Sequence, residues 1–172
     1  MYSRIFIILF LIVLFVSCGR NSNDSVTVNK PGKGEMEELN RYLLEKDRER
    51  IMNFAERKEL QMTETPTGLW YQIIKQGEGA YLKEGNRITM DYECSLLDGT
   101  KCYSSDESGP KEVVLGKTGI ETGLYEGLKL LRPGSVAIFI IPPFLAYGLP
   151  GDGKRIPPRS VIVYKVNILR AE

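Results

Sequence analysis

The sequence predicts an α+β domain, an antiparallel sheet of about five strands wrapped around one short α-helix and preceded by a charged N-terminal helix. Two patterns predict it. Residues 87–97 and 161–169 alternate apolar and polar side chains, the period of a half-exposed antiparallel strand. Thr122 to Leu131 places Leu124, Leu128 and Leu131 at helical spacing ahead of Pro133-Gly134. One short helix covers a sheet of that size only if the sheet curls around it.

The elements follow in order. Residues 5–16, IFIILFLIVLFV, are uninterruptedly apolar, with Arg4 before them and Ser17-Cys18-Gly19 after. That run is shorter than the ~20 residues a bilayer span needs. A basic start, a short apolar run and a small residue describe a secretory signal over residues 1–17. Cys18 resembles the cysteine of a bacterial lipobox, in which signal peptidase II cleaves before a lipidated cysteine. Several acyl chains there would hold the protein to a membrane, so the expected location is the bacterial envelope, facing the periplasm. Residues 18–34 are polar and rich in small side chains, and read as a flexible tether. Residues 35–64 carry a charged helix with a thin apolar stripe of Met36, Leu39, Leu43, Ile51 and Phe54, ended by Pro66. The reading favoured is a spacer; a dimerisation helix is the alternative.

The domain occupies residues 65–172. Leu69 to Lys75 is an aromatic and β-branched strand. On the strand from Arg87 to Leu97, Ile88, Met90, Tyr92, Cys94 and Leu96 share a face, and Leu97-Asp98-Gly99-Thr100 closes a hairpin. Residues 103–110 read as a polar loop, Lys111 to Leu115 as a short strand, and Ser135 to Ile141 as a long one. On the last strand Ile162, Tyr164, Val166 and Ile168 face one way.

Composition excludes several chemistries. The chain has no histidine, so no imidazole base and no histidine metal ligand. Its three cysteines contain no CxxC, and no metal site or cofactor is expected. With 23 basic and 22 acidic side chains, nothing calls for nucleic acid. Cys94 reads as a small buried hydrophobe; its pairing with Cys102 in an oxidising compartment stays open.

Residues 140–158, IIPPFLAYGLPGDGKRIPP, carry the sharpest motif. Ala146-Tyr147-Gly148, followed by Ile156-Pro157-Pro158, resembles the active-site loop of the FKBP family of peptidyl-prolyl cis-trans isomerases. The opening TPTGLWYQIIKQGEGAYLKEGNRITMDYECSLLDGT resembles bacterial members of the infectivity-potentiator type, and the resemblance runs from Thr65 to Glu172. It implies an FKBP-like fold and isomerase activity on proline-containing polypeptides, assisting exported proteins. It also assigns pocket roles. Tyr92, Tyr147, Ile156 and Tyr164 match pocket positions, with the Tyr147 hydroxyl donating to ligand. Ile120 and Glu121 precede the helix, where the family uses the backbone N–H of the second to hold a substrate carbonyl, so the Glu121 side chain is expected to matter less. Leu124 stands at the pocket floor. In DGTKCYSS, Cys102 replaces a phenylalanine and Tyr103 an aspartate that accepts a hydrogen bond. Tyr103 could turn inward and refill that volume. The YSS variant is similar to the gliding-motility-associated lipoprotein isomerases. A non-catalytic FKBP-like chaperone and a structural subunit of an envelope machine are the alternatives.

Overall fold

The computed structural model describes residues 32–172. The expected signal segment and lipidated Cys18, and all but the end of the tether, lie outside the described residues. The architecture below belongs to the compact unit Glu37–Glu172, apart from the first residues of its N-terminal helix. Among the described residues no helix is long and apolar enough to cross a membrane.

Helix α1, Lys33–Arg57, begins two residues earlier and ends seven earlier than the pattern predicts. The stop is not Pro66. Glu59 adopts a left-handed φ of 53°, and Leu60 N–H donates back to the Ala55 carbonyl at 2.9 Å. This closes the last turn as a C-terminal cap does.

Seven strands follow where about five were expected: β1 (Thr63–Glu64), β2 (Trp70–Lys75), β3 (Arg87–Leu96), β4 (Lys101–Ser104), β5 (Lys111–Val114), β6 (Val136–Ile141) and β7 (Ile162–Ala171). They form one antiparallel sheet in the order β1-β2-β6-β7-β3-β4, with β5 also paired to β3. The additional strands are the two-residue β1 and the four-residue β4. The latter occupies the start of the segment read as a polar loop, and a single-turn helix α2, Ser105–Ser108, follows it. Such short elements carry too little periodicity to be recognised in a sequence. The predicted hairpin turn is present, with Thr100 N–H on the Asp98 carboxylate at 2.8 Å.

The short helix α3, Thr122–Leu128, lies against β6. Gly123 and Gly127 permit the approach. A Cβ on the first would lie 2.4 Å from Ile141 Cγ2, and one on the second 2.7 Å from the Phe139 ring. Leu124 and Leu128 join Ile88, Met90, Phe139 and Tyr164 in a core with no more than 1% exposure at any of the six.

The opposite face of the sheet is covered as well. Ile51 and Phe54 of α1 pack with Trp70, Ile138, Ile140, Val161 and Val163 in a second apolar cluster. Near it Asp47, only 4% exposed, accepts a 2.7 Å bond from Arg159. The C-terminal half of α1 is therefore a structural layer of the domain and not only a charged spacer. Packing on both faces explains why β6 reads VAIFII without alternation: five of its six residues are buried.

If α1 is such a layer, Ile51→Ala lowers unfolding free energy by about 2–4 kcal/mol, the range for truncating a buried isoleucine. Met52→Ala, at an exposed neighbouring position, stays within about 0.5 kcal/mol. Urea midpoints of the two variants check this.

Candidate functional site

A cavity of about 330 Å³ opens between β3, β4, β7 and the loop after β6. Four tyrosines line it: Tyr92 from β3, Tyr103 from β4, Tyr147 from the loop and Tyr164 from β7. Lys111, Asp152 and Lys154 complete the wall. The Tyr92 and Tyr164 rings sit 6.1 Å apart, tilted by 34°, within the range of favourable aromatic pairs.

The loop owes its shape to Asp152. Its Oδ1 accepts the backbone N–H groups of Lys154 and Ile156, each at 2.8 Å, and its Oδ2 accepts the Tyr103 hydroxyl. Burial pushes the Asp152 carboxyl upward, but the Tyr103 hydroxyl and the backbone N–H groups outweigh it and hold the group below the usual carboxylate range. Gly151 turns the chain at a φ of +71°, where a Cβ would meet the Ile156 carbonyl oxygen at 2.3 Å. Tyr103 does turn into the cavity, and its ring carries the Arg155 guanidinium at 5.4 Å.

Glu121 holds the other wall together. It stands at the N-cap of α3, is 8% exposed, and its Oε1 accepts both the Tyr147 hydroxyl and the Tyr164 hydroxyl, the latter at 2.9 Å. Its Oε2 is buried without a hydrogen-bond partner among the described residues. Desolvation first, and the Glu121 carboxylate second, push the Tyr147 phenol far above its ordinary range; the same two causes act in the same order on Tyr164. The side chain expected to matter less is thus the acceptor for two site tyrosines. Position-matching missed it because that match concerned only the backbone.

The remaining expected site residues lie outside the cavity wall. Cys102 is fully buried, its Sγ 3.5 Å from the Arg155 carbonyl oxygen. Leu124 and Ile156 belong to the main core, and Ile120 packs against it. Cys94 and Cys102 are free thiols, and burial pushes the Cys94 thiol up to about 12. Lys111, Asp152 and Lys154 were not anticipated. Asp152-Gly153 carried a turn signal that could have flagged the first turn of the loop. Among the described residues, no cluster of histidine, cysteine, aspartate and glutamate could hold a metal ion.

Fold and site together define a small α+β domain whose curled antiparallel sheet and single central helix support a tyrosine-walled cleft. A family model described as FKBP-type peptidyl-prolyl cis-trans isomerase matches residues 79–169, and the chain belongs to that family. It is 38% identical over 106 residues to a probable FKBP-type peptidyl-prolyl cis-trans isomerase FkpA of Neisseria meningitidis, covering 62% of this chain and 39% of the relative. It is 40% identical over 106 residues to the FKBP-type 22 kDa peptidyl-prolyl cis-trans isomerase of Escherichia coli, covering 61% and 50%. The chain thus spans half or less of the length of these curated relatives. Among solved structures, FkpA from Escherichia coli superposes with a TM-score of 0.63 at 28% identity, covering 83% of this chain and 74% of that one. The N-terminal domain of FKBP42 from Arabidopsis thaliana gives 0.60 at 26% identity, covering 65% and 92%.

The raised tyrosines make stability pH-dependent with a definite sign. Tyr147 and Tyr164 have folded-state values raised above the ordinary 10.0. Their contribution is fully present below pH ~10 and falls as pH rises beyond it, because the unfolded chain releases protons that the folded one retains. Urea midpoints should therefore drop from about pH 10 upward. In Glu121→Gln the charge that helps raise both phenols is gone, and 13C resonances of labelled tyrosine rings should show Tyr147 titrating at lower pH than in the wild type.

Proposed function

We propose that the chain is a peptidyl-prolyl cis-trans isomerase that assists the folding of exported proteins, with the tyrosine-walled cavity as its active site. The observation that carries the proposal is the convergence of Tyr92, Tyr103, Tyr147 and Tyr164 on one cavity of about 330 Å³, at the small end of the range for ligand sites. The names of the relatives support the reaction class.

The chemistry suits such a cavity. Rotation about an Xaa-Pro bond crosses a barrier of roughly 18–20 kcal/mol set by amide resonance. Breaking that resonance needs no nucleophile and no general base. The twisted amide has less carbonyl charge than the planar one, so it loses less on leaving water. An aromatic-walled site that favours the twisted form lowers the barrier by differential binding; a million-fold acceleration corresponds to roughly 8 kcal/mol. Tyr92, Tyr147 and Tyr164 supply ring faces, Ile156 backs the loop from the core, and the Glu121 backbone N–H at the start of α3 is the donor for the substrate carbonyl. Cys102, Ile120 and Leu124 support this wall by packing, and Tyr103 fills part of it.

The signal-like residues 1–17 and Cys18 support a lipid-anchored protein of the bacterial envelope acting in the periplasm. The proposed reaction calls for no cofactor or metal. The alternative of a non-catalytic chaperone is favoured by one observation: the Tyr147 hydroxyl is already committed to Glu121.

Proline-limited refolding of a model protein tests the proposal. Residues 32–172, folded by circular dichroism, should accelerate refolding, and Tyr147→Phe and Ile156→Ala should reduce the acceleration, each by roughly ten-fold or more, about 1.4 kcal/mol of transition-state stabilisation. Refolding no faster than the spontaneous rate would leave the non-catalytic chaperone and the structural subunit of an envelope machine.

A further inference from the structure

The cavity does not end at its tyrosines. A second cavity of about 390 Å³ adjoins it and shares Tyr92, Tyr103 and Lys154 as walls. Most polar groups around the pair are already satisfied. The Asp152 carboxylate holds the Tyr103 hydroxyl and two backbone N–H groups. Glu107 is paired with Arg155 at 2.6 Å, and Arg155 also donates to the Cys102 carbonyl at 2.8 Å. The Tyr92 hydroxyl lies 3.3 Å from Ser108 Oγ.

Three donors are left over. Lys154 lines both cavities, and its ammonium forms no ion pair among the described residues. Lys111 lines the first, and among the described residues its ammonium has only the face of the Tyr92 ring, 5.5 Å away. Ser104 lines the second; it is 1% exposed and its hydroxyl has no hydrogen-bond partner among the described residues. Lys154 is exposed and Lys111 partly so, and water serves their ammoniums. The buried Ser104 hydroxyl is the costly one without a partner, and together the three suit a ligand that brings acceptors. With the lysines cationic, the complementary group is a carboxylate.

We propose that Lys154, Lys111 and Ser104 form a subsite for an acidic side chain next to the substrate proline, so that the cleft selects aspartyl- or glutamyl-prolyl segments. The inference rests on the cavity being the peptide site proposed above. The effect is short-range. Lys111, Lys154 and Arg155 are nearly balanced by Asp152, Glu107 and the buried Glu121 nearby, so the selection comes from contact and not from long-range attraction.

The experiment uses the full chain and three blocked tetrapeptides, Ala-Xaa-Pro-Phe, with glutamate, glutamine or lysine at Xaa. Affinity is read from 15N shift titrations at low ionic strength, and cis–trans exchange of each peptide is read in the same samples. Glutamate and glutamine are isosteric, so their ratio isolates the charge. The expected order is glutamate, glutamine, lysine, with glutamate bound about threefold tighter than glutamine, the scale of a partly exposed charged contact. In the Lys111→Gln/Lys154→Gln variant the ratio should fall to one. Lys154→Glu, a change on an exposed loop, should turn the order round in favour of lysine. Equal affinities for glutamate and glutamine in the wild type, or a preference that survives removal of both lysines, overturns the subsite whether or not exchange is accelerated. A glutamate preference without accelerated exchange upholds the subsite and rejects the isomerase reading alone.

Discussion

The candidate site depends on one buried carboxylate. Glu121 sits where the chain enters α3, and its Oε1 takes the hydroxyls of Tyr147, from the loop after β6, and of Tyr164, from β7. Three segments far apart in sequence are thereby fixed around one oxygen atom. A carboxylate this deeply buried is costly in itself, and hydrogen bonds from neutral donors only partly offset the desolvation. Its position at the beginning of a helix, where the backbone dipoles point their positive ends, adds a smaller contribution. The arrangement commits both phenols as donors and leaves their ring faces for the cavity. That division of labour suits the proposed amide-twisting reaction, which needs aromatic surface held rigidly.

A second constraint is that the sheet is packed on both faces. The inner face closes on α3, where Gly123 and Gly127 let the helix approach Ile141 and Phe139. The outer face carries Ile51 and Phe54 from α1. Strands β6 and β7 contribute to both layers, and the loop that carries Ala146-Tyr147-Gly148 leaves from the end of β6 at Pro142-Pro143. The loop is thus anchored to the most completely buried strand and tightened at its far side by Asp152, which is why Tyr147 and Ile156 hold their places without regular secondary structure between them.

Much of this was legible in the residues. Alternation located β3 and β7 to within two residues at either end, and leucine spacing with the following Pro133-Gly134 located α3. The loop motif, taken with the strand resemblance, named four tyrosines that the structure brings to one cavity. What was not legible has physical reasons. The docking of α1 was hidden because its stripe runs the length of the helix while only Ile51, Phe54 and Ala55 near its end are buried and Met36, Leu39 and Leu44 stay exposed, so the pattern averaged over the helix looks thin. The second covered face was written in the unbroken apolar run of β6, a signal that periodicity alone does not separate from a buried helix. The two shortest strands and α2 have no period to read. Glu121 was named for its backbone N–H, and its side chain was discounted because the family match at that position concerns only the backbone. Its burial is created by Tyr147 and Tyr164 arriving from elsewhere in the chain. Lys111, Asp152 and Lys154 became wall residues only through the long-range folding of the loop over β3 and β4.

The central claim is that Glu121 and Tyr164 stabilise one another across the fold, and a double-mutant cycle tests it most directly. Unfolding free energies of residues 32–172 would be measured for the wild type, Glu121→Gln, Tyr164→Phe and the double variant. The account predicts a favourable coupling of roughly 1.5 kcal/mol or more, as for a buried hydrogen bond to a charged acceptor. Additive single effects, with a coupling near zero, would contradict it and return Glu121 to the role of an ordinary helix-start residue.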